Sequence, residues 1–261
     1  MAAQEDFANR VVGEGSVLLK NEGDALPLAS GAAVTLFGSE QWYNTGSGSG
    51  AVANQDYADL TPASVLESAG FSVNPDNSSY DGYQDAAIFI LSRTGGEGTD
   101  ATMTDTEAAN YLALTDSDRQ TLEEIAGAGF DKTIVILNTC NAVNMDFIND
   151  EAYGIDACLW AGATGSSGIA VLGDILNGTV NPSGHLVDTY LYNNMDNPAA
   201  QNFGEYLYEG TDIPYVNYIE GIYVGYRYFE TRYEDQVMGT ANVGNYNYDK
   251  RKQDKYKQKR P

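Results

Sequence analysis

The stretch from Asp85 to Asp100, Asp-Ala-Ala-Ile-Phe-Ile-Leu-Ser-Arg-Thr-Gly-Gly-Glu-Gly-Thr-Asp, limits what this chain can fold into more than any other. Ala86 to Leu91 is an unbroken apolar run. A strand with one wet face alternates apolar and polar residues, whereas an unbroken run reads as a strand covered on both faces, as in a parallel sheet. The run stops at Ser92, Arg93 and Thr94, and Gly95, Gly96, Glu97 and Gly98 follow. A buried strand ending this way delivers a carboxylate to the carboxyl edge of the sheet, where ligands of open α/β folds bind. The surrounding glycines let the backbone turn sharply and leave the acid uncovered by neighbouring side chains. By position alone, a solvated loop acid reads the same way, since functional carboxylates are the minority of loop acids.

The rest of the chain repeats the strand–helix alternation. Residues 3–20 read as an amphipathic helix through Phe7, Val11 and Leu18, with Gly13 and Gly15 marking close packing. Ala33 to Phe37 is a short buried strand ended by Gly38. Thr61-Pro62 is a cap followed by proline at the first helical position. Gly70 closes that helix, and Phe71-Ser72-Val73 is a short strand. Thr115-Asp116-Ser117-Asp118 opens a helix to about Ala128, a capping box with Asp in place of Glu. Thr133 to Leu137 and Ile155 to Trp160 are further strands. Thr164 to Gly168 leads into a helix through Ile169, Leu172, Ile175 and Leu176, closed by Asn177-Gly178. The fold class is therefore α/β with a mostly parallel sheet of at least four core strands.

The 261 residues, 43% of them hydrophobic, are enough for one large domain with a sizeable core. The net charge of −23 argues against nucleic acid and anionic membrane surfaces as partners. The charge is unevenly placed. Residues 250–260 hold seven of the fourteen Lys and Arg and balance at +6, so the rest of the chain carries −29. This end is expected to be a disordered tail, its composition unlike that of the body. Cys140 follows one strand and Cys158 lies in another, as buried free thiols do. Nothing has zinc-site spacing. There is no apolar run of membrane-spanning length. The sequence shows no apolar leader with a cleavage site, which favours a cytoplasmic location. From Asn181 onward tyrosines crowd in, as in a segment wrapping a surface with rings half buried.

The loop Thr45-Gly46-Ser47-Gly48-Ser49-Gly50 has a superficial likeness to a dinucleotide fingerprint. That motif must follow its strand directly and open a helix; here residues intervene and the next helix starts near Thr61, which argues against nucleotide binding. A flexible Gly/Ser loop remains an equal alternative to a binding loop.

Five segments carry a family resemblance. Ile90-Leu91-Ser92-Arg93-Thr94-Gly95-Gly96-Glu97-Gly98-Thr99-Asp100 resembles the Ser-Arg…Gly-Glu-Gly-x-Asp segment of glycoside hydrolase family 3, the β-glucosidase family. Glu14 to Glu22 with Ala25-Leu26-Pro27-Leu28 resembles that family's Glu-Gly-x-Val-Leu-Leu-Lys-Asn-Glu…Leu-Pro-Leu opening, and Thr45 to Gly50 resembles its Gly-Gly-Ser-Gly-Ser-Gly loop. Asn181-Pro182-Ser183-Gly184 resembles its Asn-Pro-Ser-Gly-Lys, with His185 in place of Lys. Glu220 to Phe229 resembles its Glu-Gly-Ile-Tyr-Val-Gly-Tyr-Arg-Tyr-Phe. In order, these span nearly the whole chain but only the family's second, α/β sandwich domain.

The resemblance implies a layered sandwich, a sheet of about six strands with helices on both faces. Residues 1–30 would be a lead-in helix and connector, 31–235 the sandwich domain and 236–261 the basic tail. It implies that Glu97 is the general acid/base and that Ser47, Ser49, Ser92 and Arg93 face a sugar. No cofactor and no metal are implied. The family's nucleophile is an Asp on a separate (β/α)8 barrel in a Ser-Asp-Trp-type motif that this sequence does not contain. The expected partners are therefore that barrel, from the same or another chain, and a β-linked oligosaccharide or aryl glycoside. Some family members place the sandwich before the barrel, and the surroundings of Asn138-Thr139 and of Asn181 to His185 fit that order. A non-catalytic carbohydrate-binding or structural partner domain is the alternative. Family members usually continue after the Tyr228-Phe229 region into a Pro-Phe-Gly-Tyr-Gly-Leu-Ser-Tyr segment, which is missing here.

Overall fold

Strand β5, Ala86–Arg93, lies inside a six-stranded sheet whose order is β1-β8-β7-β5-β2-β4. The flanking strands are β2, Ala33–Gly38, and β7, Thr133–Thr139; beyond them lie β4, Ser72–Val73, and β8, Ala157–Trp160. All of these pair in parallel, and only the edge strand β1, Val17–Asn21, runs antiparallel, against β8. The coordinates are a computed structural model. It describes residues 2–42, 47–48, 59–93, 96–97, 111–139, 141–201, 206–216, 218 and 220–243, with the backbone only at 2, 47–48, 96–97, 195 and 201. The chain divides into two compact units, Met1–Leu186 and Val187–Pro261.

The unbroken apolar runs are buried as expected. Ala86 to Leu91 and Ile134 to Leu137 are each at most 1% exposed. Because side chains alternate across a strand, one register faces each layer. Val34, Ala86, Ile88, Ile90, Ile134, Ile136, Ala157 and Leu159 form one core. Against them pack Val65 and Leu66 of α2, Pro62–Ser68, and Leu172, Ile175 and Leu176 of α5, Val171–Leu176. On the other face α3, Asp116–Gly127, crosses β2 and β5 and buries Leu122 and Ile125. There Phe37, Tyr80 and Phe130 meet with ring centroids 5.3–5.7 Å apart.

Local signals in the sequence placed the helix ends. Thr61 Oγ1 accepts the Ser64 N–H at 3.2 Å, with Pro62 in the first turn of α2. Thr115 and Asp118 form the reciprocal capping box of α3: Thr115 Oγ1 accepts from Asp118 N at 3.1 Å, and Asp118 Oδ2 accepts from Thr115 N at 2.8 Å. The helix expected after Thr164 is broken into α4, Gly165–Gly168, and α5.

The N-terminal segment differs from the expectation. Helix α1, Ala2–Gly15, ends before Val17, and Val17–Asn21 is β1 rather than more helix. The 3–4 residue spacing of apolar residues continues through Leu18 and hides the change. Its cause is the sheet: β8 would otherwise present an open edge, and β1 pairs with it. The Lys20-Asn21-Glu22…Leu26-Pro27-Leu28 motif then has a structural use. Asn21 Nδ2 donates to Leu26 O at 2.9 Å, and its Oδ1 accepts from Leu26 N at 2.8 Å, holding the turn that drops Leu26 and Leu28 into the core. Lys20 Nζ donates to Ile148 O at 2.9 Å.

Asn181 to Gly184 returns to the same place. A Cβ on Gly184 would sit 2.3 Å from Gly15 O, so only glycine fits where Gly184 N donates to Ser16 O at 3.0 Å. Of the two glycines expected to mark close packing, Gly13 does so, where a Cβ would lie 3.0 Å from Val180 Cγ1, while a Cβ on Gly15 would meet nothing within 4 Å.

The second unit contains α6, Pro198–Gln201, the two-stranded pair β9, Tyr206–Leu207, and β10, Pro214–Tyr215, and α7, Tyr226–Met238. Tyr215 stacks between Tyr206 and Tyr208, at 5.6 and 4.8 Å. Tyr206 and Tyr228 are buried, but Tyr192, Tyr208, Tyr218, Tyr226 and Tyr233 are exposed, so the tyrosines are wetter than the half-buried reading. Asp235 accepts from Thr240 Oγ1, Asn242 N and Val243 N at 2.6–3.0 Å, tying α7 to the turn that follows it. Those hydrogen bonds hold its carboxyl far below the usual range. The segment 244–261, with the basic tail, lies outside the described residues.

Cys158 is a buried free thiol; Cys140 lies outside the described residues. Burial pushes the Cys158 thiol up to about 12, with the nearby Lys20 charge pulling the other way. Because the folded chain holds this proton more tightly, the stability it contributes is fully present below the thiol's ordinary ionisation near pH 9 and is lost between there and about pH 12. Peptide mapping after iodoacetamide at about pH 8 should find Cys158 unmodified in the native chain and alkylated in urea.

Candidate active site

Across the sheet the parallel strands lie in the order β4-β2-β5-β7-β8, so the second in the chain lies outside the first and the others on its far side. The order reverses between β2 and β5. Two connections leave the sheet there in opposite directions, which opens a crevice at the carboxyl ends of those two strands. Beyond the end of β2 lies β3, Ser47–Gly48, and two residues past β5 lies β6, Gly96–Glu97. These pair with each other in parallel, Ser47 with Gly96 and Gly48 with Glu97. The glycine/serine loop and the glycine-flanked acid are thus brought side by side by a small ladder separate from the main sheet. Ser49 lies outside the described residues.

Beneath this ladder the strand ends are fixed by hydrogen bonds. β5 runs on past its apolar stretch, so Ser92 and Arg93 belong to the sheet, paired with Asn138 and Thr139 of β7. Ser92 Oγ donates to Asn138 Oδ1 at 3.2 Å, and Asn138 Nδ2 donates to Gly162 O at 2.6 Å. Asn138 is fully buried. It links the ends of β5, β7 and β8 at the point where each strand gives way to a loop. On β2, Gly38 has φ +83, and a Cβ there would lie 2.4 Å from Ile90 O. Only glycine lets the chain leave β2 that close to β5.

Arg93, the other candidate for contact with a sugar, is held within the chain. Its Nη2 donates to Asp118 Oδ2 at 2.5 Å and to Ala113 O at 3.2 Å, and its Nη1 donates to Ser92 O at 3.0 Å. The side chains of this ion pair are only 13% and 16% exposed.

Three residues at this edge carried no functional reading in the sequence. Asn138 was noticed only as part of a family-like segment. Trp42, between β2 and β3, and Trp160, the last residue of β8, have buried indole N–H groups with no hydrogen-bond partner among the described residues. A tryptophan at the carboxyl end of a strand is the signal that could have marked Trp160. Among the described residues no group of three or more His, Cys, Asp or Glu could hold a metal ion, and no helix is long and apolar enough to cross a membrane.

A doubly wound sheet with an acid beside a Gly/Ser loop at its switch point describes a class of ligand-binding α/β domain. Comparison with known proteins narrows the class: the chain belongs to glycosyl hydrolase family 3, whose C-terminal domain matches residues 16–226. A β-glucosidase of Ruminococcus albus is 32% identical over 276 residues, spanning 91% of this chain and 27% of that protein. β-Glucosidase A of Butyrivibrio fibrisolvens is 29% identical, spanning 84% of this chain and 31% of its own length. Among solved structures, a β-glucosidase from Paenibacillus barengoltzii superposes with a TM-score of 0.73 at 30% identity, over 88% of this chain and 28% of that one. β-Glucosidase 3B of Thermotoga neapolitana in complex with glucose superposes at 0.71 and 26% identity, over 88% and 36%. The chain therefore spans about a third or less of the length of these relatives.

The Asn138 network gives a direct test. Asn138→Ala leaves the Gly162 carbonyl and the Ser92 hydroxyl without their partner, which should cost about 1–3 kcal/mol. In urea unfolding this should appear as a lower midpoint at an unchanged slope.

Proposed function

We propose that this chain supplies the acid/base half of a retaining β-glycosidase of the β-glucosidase type, acting on a β-linked oligosaccharide or an aryl glycoside. The observation that carries the reading is the backbone ladder pairing Gly48 with Glu97, in the segments that follow the carboxyl ends of β2 and β5. A retaining glycosidase needs two carboxyl groups about 5–5.5 Å apart, one acting as acid and then base, the other as nucleophile. In this proposal Glu97 is the first, and Ser47, Ser49 and Ser92 line the sugar side. The second comes from a (β/α)8 barrel on the same or another polypeptide. No cofactor takes part. The β-glucosidase names of the relatives support the substrate class.

The mechanism follows from the division of labour. Glu97, protonated, gives its proton to the glycosidic oxygen as the barrel carboxylate attacks the anomeric carbon and the aglycone leaves. Glu97, now ionised, takes a proton from water as that water attacks the glycosyl–enzyme, which releases the sugar and regenerates both groups. For Glu97 to be protonated at neutral pH its surroundings must be dry, and a docked barrel and sugar would make them so.

The chain by itself should then show no appreciable glycosidase turnover. General acid catalysis contributes about 10²–10⁴-fold, while enzymes as a class need accelerations of about 10⁶-fold or far more. Nucleophile and sugar distortion belong to the barrel. Mixing or fusing the chain with a matching family barrel should produce release of phenol from phenyl β-glucoside, lost in Glu97→Gln. Turnover by the chain alone that survives Glu97→Gln would overturn the assignment. Sugar binding without turnover in the mixture would instead identify a carbohydrate-binding module.

A further inference from the structure

We infer that Arg93 is a positioning residue that sets Glu97 through Asp118, rather than a ligand of the sugar; the inference rests on the acid/base reading of Glu97. Between the end of β5 and the start of α3 the chain leaves the sheet and returns. Arg93 is the last residue of β5 on the way out. Asp118 lies in the first turn of α3 on the way back. The guanidinium joins the two, through Asp118 Oδ2 at 2.5 Å and Ala113 O at 3.2 Å. β6, Gly96–Glu97, begins three residues beyond Arg93.

The arrangement is more than a surface ion pair. Exposed pairs contribute little because water screens them and their side chains must be ordered. This one is largely covered and shares its acceptor. Asp118 Oδ2 also accepts from Thr115 N at 2.8 Å and Thr115 Oγ1 at 2.7 Å, so a single oxygen caps the helix and receives Arg93. The ion pair holds α3 to the last residue of β5, and so fixes the point from which the chain departs four residues before Glu97. The planar guanidinium supplies what a lysine could not, two nitrogens aimed at separate acceptors in fixed geometry. Nη1, on Ser92 O at 3.0 Å, fixes the same side chain to the strand it leaves. With both terminal nitrogens so occupied, Arg93 has its hydrogen bonds inside the chain.

The consequence is chemical. A general acid works only when held within hydrogen-bond reach of the oxygen it protonates, and a displacement of about 1 Å can cost about 100-fold. Loosening Arg93 should therefore imitate loss of the acid, without imitating loss of a sugar contact.

The test has two arms. In the chain by itself, Arg93→Gln and Asp118→Asn should each raise amide hydrogen exchange at residues 47–48 and 96–97 by about tenfold or more, with exchange in β7 unchanged. Unchanged exchange in the ladder in both variants overturns the inference. In the chain joined to a barrel, kcat/KM is compared for phenyl and 2,4-dinitrophenyl β-glucosides, since a good leaving group departs without a proton. Arg93→Gln and Asp118→Asn should lower the phenyl value by about tenfold or more and the dinitrophenyl value by less than about threefold, and Arg93→Lys should recover only part of the loss. An equal fall on both substrates, confined to Arg93, identifies a sugar ligand and overturns the inference. The leaving-group signature in Glu97→Gln but not in the two variants overturns the inference alone. Its absence from Glu97→Gln overturns the acid/base assignment and this inference with it.

Discussion

Everything in the first unit depends on β5 being dry on both sides. A strand with no wet face must have every backbone group paired, since an unpaired buried N–H or C=O costs as much as a lost hydrogen bond. β5 meets this with a parallel neighbour on each side, β2 over Ala86 to Ile90 and β7 over Ala87 to Arg93. Parallel neighbours in turn require crossovers, and the crossovers supply the helical layers that keep both faces dry. The polar residues Ser92 and Arg93 come where β2 has run out and only β7 still pairs with β5. The chemistry-bearing groups therefore fall at one edge as a result of how burial is achieved, before any ligand enters the account.

The sequence made the centre of the fold readable and its margins less so. Ile88 or Val135 can be assigned from its neighbours because a fully buried strand needs no partner identity to be recognised. Thr115 and Asp118 were readable because a cap is a contact over three residues. β1 was not, because Val17 and Leu18 continue the spacing of α1, and only the open edge of β8 makes them a strand. The β3–β6 ladder could not be read at all. Two residues on each side offer no periodicity, and Ser47 and Gly96 are forty-nine residues apart in the chain. The same holds for Arg93. The family resemblance set it facing a sugar, while its ion-pair partner Asp118 lies twenty-five residues away in the chain.

The motifs that carried the family resemblance divide by what they do in the folded chain. Glu14 to Leu28 and Asn181 to Gly184 hold the first unit closed: a clamp on Leu26, an edge strand on β8, a glycine against the backbone of Gly15. Ser47–Gly48 follows β2, and Ser92–Arg93 and Gly96–Glu97 end and follow β5, the two strands that flank the switch point. A motif can therefore mark a family equally well by packing and by chemistry, and only the geometry separates the two.

The contact of Gly184 with the backbone at Gly15 and Ser16 has an implication for gene architecture. The polypeptide enters the sheet at β1 and leaves the unit beside the same backbone, with α1 ahead of that seam and packed on α4 and α5. A sheet whose entry and exit lie side by side can be joined before, after or inside another domain without stretching either connection, and can be circularly permuted across the same seam. For such a unit, the order of domains along a gene is a matter of recombination history, and the folded assembly can stay the same whichever domain is translated first.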